Sequence, residues 1–260
     1  MKERSRFKEI YNYALYYGHG ELEKLAQFQA AIVEPAAYQA ADIAYLKSRN
    51  TLVIAYLSVM EMPPYDNTFQ LLQPEDFIVD NGQYLKQEAY ETYLLNVNSK
   101  HWRSLLFYKA GRLLLKEGYD GIFLDTIGDV ENPKLPNPSL YIQGAVEIVK
   151  ELRAKFPEAI LIQNNGLEII CTHTAPYLDG LVWENAPVGV AQSRVWVDRI
   201  SEKINQLRDQ YSLRILLLYE DAERSNRVTW AKRRRLVDTN EYLIYTGLQH
   251  YLGEVNLENR

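Results

Sequence analysis

Short apolar runs rich in β-branched and aromatic residues recur along the chain, each followed by a longer stretch with helical spacing. That alternation limits the architectures open to it. Strands are expected near Tyr13–Tyr17, Ala31–Glu34, Leu52–Val59, Thr92–Val97, Gly121–Asp125, Ile160–Asn164, Gly180–Glu184 and Arg214–Glu220. Helices are expected over Ala36–Arg49, His101–Glu117, Ser139–Phe156, Ala191–Gln210 and Val228–Tyr242. Ser99 can cap the second of these, which stops at Gly118, while Asn137-Pro138 and Pro157 bracket the third. Strands that alternate with helices pair in parallel through crossover connections. Eight such units within 260 residues fit a single α/β domain over 1–260, a closed (β/α)8 TIM barrel. A doubly wound open sheet would want a glycine-rich turn after its first strand, and Tyr17-Gly18-His19-Gly20 lacks the full G-x-G-x-x-G pattern. No repeat, low-complexity tract or Gly/Ser linker divides the chain. Two connections are long: Glu61–Glu91 after the third strand, with a hairpin turn signalled by Asn81-Gly82, and Thr126–Asn137 after the fifth. On a barrel both extend the face formed by the C-terminal ends of the strands.

Composition removes several classes of function. With 34 acidic and 29 basic side chains the net charge is −5, which argues against a nucleic-acid binder. Lys232-Arg-Arg-Arg235 falls in an expected helix and is read as its solvated face. No apolar run reaches the ~18–20 residues of a membrane span, and the first ten residues lack the apolar segment of a secretory signal. The single cysteine, Cys171, excludes an internal disulfide, and four scattered histidines form no H-x-x-x-H pair. No metal and no cofactor are therefore expected.

The informative pattern lies in the residue that ends each strand. Glu34, Glu61, Asp125, Glu184 and Glu220 each follow an apolar run, and amides occupy two other ends, Asn96 with Asn98 and Asn164 with Asn165. On a barrel these groups ring one mouth and can reach a common ligand. Crowded carboxyls raise one another's pKa, which suits proton transfer or covalent chemistry. With no Ser–His or Cys–His arrangement, carboxylate pairs remain, and glycoside hydrolysis uses such a pair. Binding of Mg²⁺ or Ca²⁺ by clustered oxygens is the alternative use. Tyr16, Tyr17, His19, Tyr56 and Tyr219, near strand ends, are candidates to contact a sugar.

Tyr119-Asp-Gly-Ile-Phe-Leu-Asp-Thr-Ile-Gly-Asp129 resembles the G-[FY]-D-G-[IV]-F-L-D-[TN]-x-D segment of the glycoside hydrolase family 114 type of barrel, which includes the endo-α-1,4-polygalactosaminidases. Val53–Glu61, Ile162–Gly166 and Asp179–Asn185 resemble its V-[IL]-x-Y-[IL]-S-x-G-E, Q-N-x-G and D-G-x-x-x-E-[NS] strands in the same order. The resemblance implies a TIM barrel that cleaves an α-linked, galactosamine-containing polysaccharide. It places the catalytic pair on Asp125 and Glu184. Tyr17, Glu34, Tyr56, Glu61, Asn96, Asp129, Asn164, Tyr219 and Glu220, at or near strand ends, are read as substrate-binding groups around that pair. Trp183 is expected to keep Glu184 in an apolar setting suited to a general acid, leaving Asp125 as nucleophile or stabilising carboxylate, with the inverse assignment open. Met60 stands in place of the family's glycine and should narrow the cleft floor, and Glu34 and Asn96 stand where relatives carry Asp. Those departures keep a non-catalytic carbohydrate-binding barrel open as an alternative, with a metal-dependent enzyme behind it. The expected partner is an amino-sugar-containing oligo- or polysaccharide, with no nucleic acid and no membrane insertion. The resemblance suggests a secreted or periplasmic setting if a leader precedes these residues, and otherwise a cytoplasmic one.

Overall fold

The computed structural model describes residues 2–220 and 227–259. Eight strands make one parallel sheet in chain order: β1 (Ala14–Tyr16), β2 (Ala30–Val33), β3 (Leu52–Ser58), β4 (Gly121–Asp125), β5 (Ile160–Asn164), β6 (Gly180–Glu184), β7 (Arg214–Glu220) and β8 (Leu243–Gly247). β8 lies against β1, so the sheet is a nearly closed barrel. Among the described residues eight helices complete the units: α1 (Lys2–Lys8), α2 (Leu22–Leu25), α3 (Ala40–Ser48), α4 (Lys100–Leu115), α5 (Ser139–Lys155), α6 (Ile170–Thr174), α7 (Arg194–Tyr211) and α8 (Arg227–Asn240).

The strand count of eight holds, but one member changes. Thr92–Val97 does not enter the barrel. β3 pairs directly with β4, Ile54 against Gly121 through Ser58 against Asp125, which leaves no place between them. Thr92–Leu94 instead pairs antiparallel with Glu61–Met62 and Lys86–Gln87 in a small sheet above the mouth. The eighth position goes to Leu243–Gly247, whose five residues are all buried. Asp125 and Glu184 therefore end the fourth and sixth barrel strands, and the long loop Thr126–Asn137 follows the fourth. The hairpin forms as expected, Val79–Asp80 against Gln83–Tyr84, with Asn81 and Gly82 at φ 50° and 78° as such a turn requires. α3 starts at Ala40 rather than Ala36 because Glu34 caps a short 3-10 turn over Pro35–Ala37 first.

The two ends of the barrel are built differently. At the lower end Asp179, with no exposed surface, accepts from Arg4 Nε at 2.9 Å, Arg153 Nη2 at 2.6 Å and Leu161 N at 3.0 Å, and Phe7 of α1 packs beneath Gly180. At the upper end the 62–95 excursion is pinned by Asp76, equally buried, whose oxygens accept from Ser99 Oγ, Trp102 N and His101 Nδ1. Ser99 does cap α4, with Asp76 behind it. No helix among the described residues is long and apolar enough to cross a membrane.

Candidate active site

β5 lies between β4 and β6, so the side chain at its end can reach both neighbours. Asn164 Nδ2 does so, donating to Asp125 Oδ1 at 2.7 Å and to Glu184 Oε2 at 2.8 Å. Those two oxygens cannot be further apart than the two bonds laid end to end, about 5.5 Å. Asn164 Oδ1 is buried with no hydrogen-bond partner among the described residues.

Each of these strand ends is held by the residue that follows it. Thr126, Asn165 and Asn185 all take the left-handed conformation, at φ 58°, 52° and 50°. Thr126 Oγ1 accepts from Val59 N at 3.1 Å and Met60 N at 2.8 Å, clasping β4 to the end of β3. Asn165 Oδ1 accepts from Glu184 N, and Asn185 Oδ1 from Glu220 N, both at 3.1 Å. Asparagine tolerates this backbone, whereas β-branched Thr126 is strained there, a cost the three hydrogen-bonding groups around its hydroxyl offset.

Glu184 is pushed above the usual carboxyl range by burial first and by the charge of Asp125 second, with hydrogen bonds from Asn164 and Tyr251 opposing. The Tyr251 hydroxyl donates to Glu184 Oε1 at 2.8 Å, and Tyr251 O accepts from Tyr17 N at 2.8 Å. Tyr17 stacks edge-on against both Tyr56 and Tyr251, and the Tyr56 hydroxyl lies against Asp125. On the other wall Glu61 Oε2 accepts from Thr92 Oγ1 at 2.5 Å. Asp129 sits beside Glu61 and is raised to about 8 by burial, then by Glu61 and Asp125. Burial also raises Glu34, although Ala36 N donates to it at 3.1 Å. Glu220 Oε1 pairs with His250 Nδ1 at 3.0 Å. Together these groups line a cavity of about 1350 Å³ at the C-terminal mouth.

Nine of the eleven residues singled out from sequence meet in this cavity: Tyr17, Glu34, Tyr56, Glu61, Asp125, Asp129, Asn164, Glu184 and Glu220. Two do not. Asn96 turns away with the excursion, capping the next turn at Asn98 N and donating to Glu75 O. Tyr219 faces outward from β7, buried under the Arg233 guanidinium of α8 at 3.9 Å, because alternate strand residues point to opposite sides. The same alternation sends Trp183 outward against Trp196 of α7, so it does not shield Glu184. Met60 is buried outside the cavity wall and does not narrow it. Neither Tyr16 nor His19 reaches the cavity, the Tyr16 hydroxyl donating to His19 O. Sequence reasoning missed Tyr251, Asn185 and Thr126. Recognising Leu243–Gly247 as a strand would have put Tyr251 at the mouth of the barrel. Among the described residues no group of three His, Cys, Asp or Glu side chains is arranged to hold a metal ion.

The glycoside hydrolase domain of PelA from Pseudomonas aeruginosa has a similar structure, with a TM-score of 0.77 at 20% identity over 94% of this chain and 97% of that one. Aspergillus fumigatus Ega3 in complex with galactosamine superposes with a TM-score of 0.69 at 14% identity, over 94% and 93%. An α-galactosidase from Thermus thermophilus, in complex with p-nitrophenyl α-D-galactopyranoside, gives 0.62 at 15%, over 93% of this chain and 59% of its own. At these identities the likeness establishes the barrel. No curated protein sequence matches the chain. The model of glycoside hydrolase family GH114 matches residues 3–192, which include β1 through β6 with Asp125, Asn164 and Glu184. The chain belongs to glycoside hydrolase family 114.

Proposed function

We propose that the protein hydrolyses an α-linked, galactosamine-containing polysaccharide with retention of configuration, using Asp125 as nucleophile and Glu184 as acid and base. The observation that carries this reading is the shared amide of Asn164, which keeps the two facing carboxyl oxygens within about 5.5 Å. Retaining glycosidases hold their carboxyls about 5–5.5 Å apart, while inverting ones leave about 6.5–9.5 Å for a water molecule. In the first step an Asp125 oxygen bonds to the anomeric carbon as the glycosidic C–O bond breaks. Glu184, whose proton burial favours, gives that proton to the leaving oxygen. In the second step Glu184, now a carboxylate, takes a proton from water as the water oxygen displaces Asp125. Both groups return to their starting states.

The substrate follows from charge and from the neighbours. Asp125, Glu34, Glu61 and Glu220 make the mouth acidic, which draws in a sugar bearing an ammonium group. Ega3 binds galactosamine in a barrel of the same architecture. Reducing-end release from α-1,4-linked polygalactosamine, with loss in Asp125→Asn and Glu184→Gln, is the expected result. Azide should rescue Glu184→Gly with a product of retained configuration and Asp125→Gly with an inverted one. Oligosaccharide binding without release by the wild type would replace this reading with a non-catalytic carbohydrate-binding barrel.

A further inference from the structure

The cavity is too large for the chemistry it contains. A site for one small ligand occupies roughly 300–1,000 Å³, whereas this space of about 1350 Å³ continues past the carboxylates and down between α3 and α4, past Arg112 to Glu117 and Tyr119. Glu34 stands where the two parts join. Beyond it Lys109 Nζ pairs with Asp66 Oδ2 at 3.3 Å, and the charges of both act on Glu34. Two tyrosines flank this outer part with their rings in solvent, Tyr65 at 85% and Tyr108 at 66% exposure. Exposed rings of that size, alternating with charged groups along a groove, suit a ligand with apolar ring faces and polar edges rather than an apolar protein partner.

We infer that the groove between α3 and α4 is a distal subsite that takes the continuing sugar units of a long chain whose cleaved bond lies between Asp125 and Glu184. The inference rests on the proposed hydrolase activity and deepens it. Stacking on Tyr65 and Tyr108 adds binding to chains long enough to reach them and none to shorter ones, so long chains are turned over in preference to short oligomers. Lys109, Asp66 and Glu34 at the junction hold the hydroxyl and amine edges of the units that pass between the two parts.

The test uses α-1,4-linked galactosamine oligomers graded in length. For the wild type, kcat/KM rises with length beyond what fills the mouth. Tyr65→Ala and Tyr108→Ala each lower the ratio of long-chain to short-chain kcat/KM by about three- to tenfold, chiefly through KM. Tyr11→Ala, whose ring is 69% exposed and outside the cavity, serves as the control and keeps the wild-type ratio. An unchanged ratio in both folded variants, with the wild type active, overturns the distal subsite alone. Absence of wild-type cleavage at every length overturns the hydrolase reading and the subsite with it.

Discussion

The hydroxyl of Tyr251 donates to Glu184 Oε1 at 2.8 Å, tying the end of the sixth strand to the segment that follows the eighth. The bond favours the charged carboxylate, against burial and against Asp125, which both favour the protonated form. Tyr251→Phe removes the donor while the ring still packs over Gly247. Glu184 then holds its proton to higher pH. The basic limb of the pH–rate profile should move upward and kcat should fall about tenfold. A basic limb that stays in place would remove Tyr251 from the control of Glu184.

Asn165 separates backbone shape from hydrogen bonding. Asn165→Gly keeps the left-handed backbone but deletes the acceptor for Glu184 N, so activity should fall while the melting temperature changes little. Asn165→Ala adds backbone strain of about 1 kcal/mol or more, and its melting temperature should drop a further ~2–4 °C. Equal melting temperatures for the two variants would mean that the conformation stores no strain.

Asp129 couples stability to pH. Unfolded, an aspartate titrates near 4, whereas in the native chain Asp129 is raised to about 8. Between those values the unfolded chain gives up a proton that the native chain keeps. Native stability therefore falls as pH rises through that interval, and the loss is complete only above it. Asp129→Asn removes the penalty. Thermal unfolding should show a gain of about 2–6 °C over wild type at pH 8 and almost none at pH 4. A gain of equal size at both pH values would rule out proton linkage at this position.

Asp179 belongs to the opposite end of the barrel, and its loss should be felt in stability. Its oxygens pair with Arg4 and Arg153 and accept from Leu161 N, all without solvent exposure of the carboxyl. Asp179→Ala leaves two guanidinium groups without that partner and should cost about 3 kcal/mol, lowering the melting temperature by roughly 6–12 °C. At a temperature where the variant is folded, kcat should equal that of the wild type.

The carboxylates at the mouth were legible because a parallel barrel turns a one-dimensional cue, the acid that ends an apolar run, into a shared location. Asp125, Glu184, Glu34, Glu61 and Glu220 all follow that cue, and all five line the cavity. The cue fails where strand membership fails. Thr92–Leu94 and Leu243–Gly247 are both short, aromatic and β-branched, and only pairing partners distinguish an antiparallel excursion from a barrel stave. That ambiguity carried Asn96 into the expected site and kept Tyr251 out of it. Tyr219 was misplaced for a different reason: closeness to a strand end says nothing about which side of the sheet a residue faces, and Glu220 next to it takes the inward side.

The contact between Tyr17 N and Tyr251 O joins the opening and closing staves of the barrel, and the same tyrosine sets the orientation of Glu184. During synthesis the carboxyls of Asp125 and Glu184 emerge well before Tyr251, which bonds to the second of them. A nascent chain on the ribosome can thus carry both acids and still lack an aligned site until the stave Leu243–Gly247 and the turn behind it have left the exit tunnel. Alignment of the two carboxyls therefore arrives together with closure of the barrel.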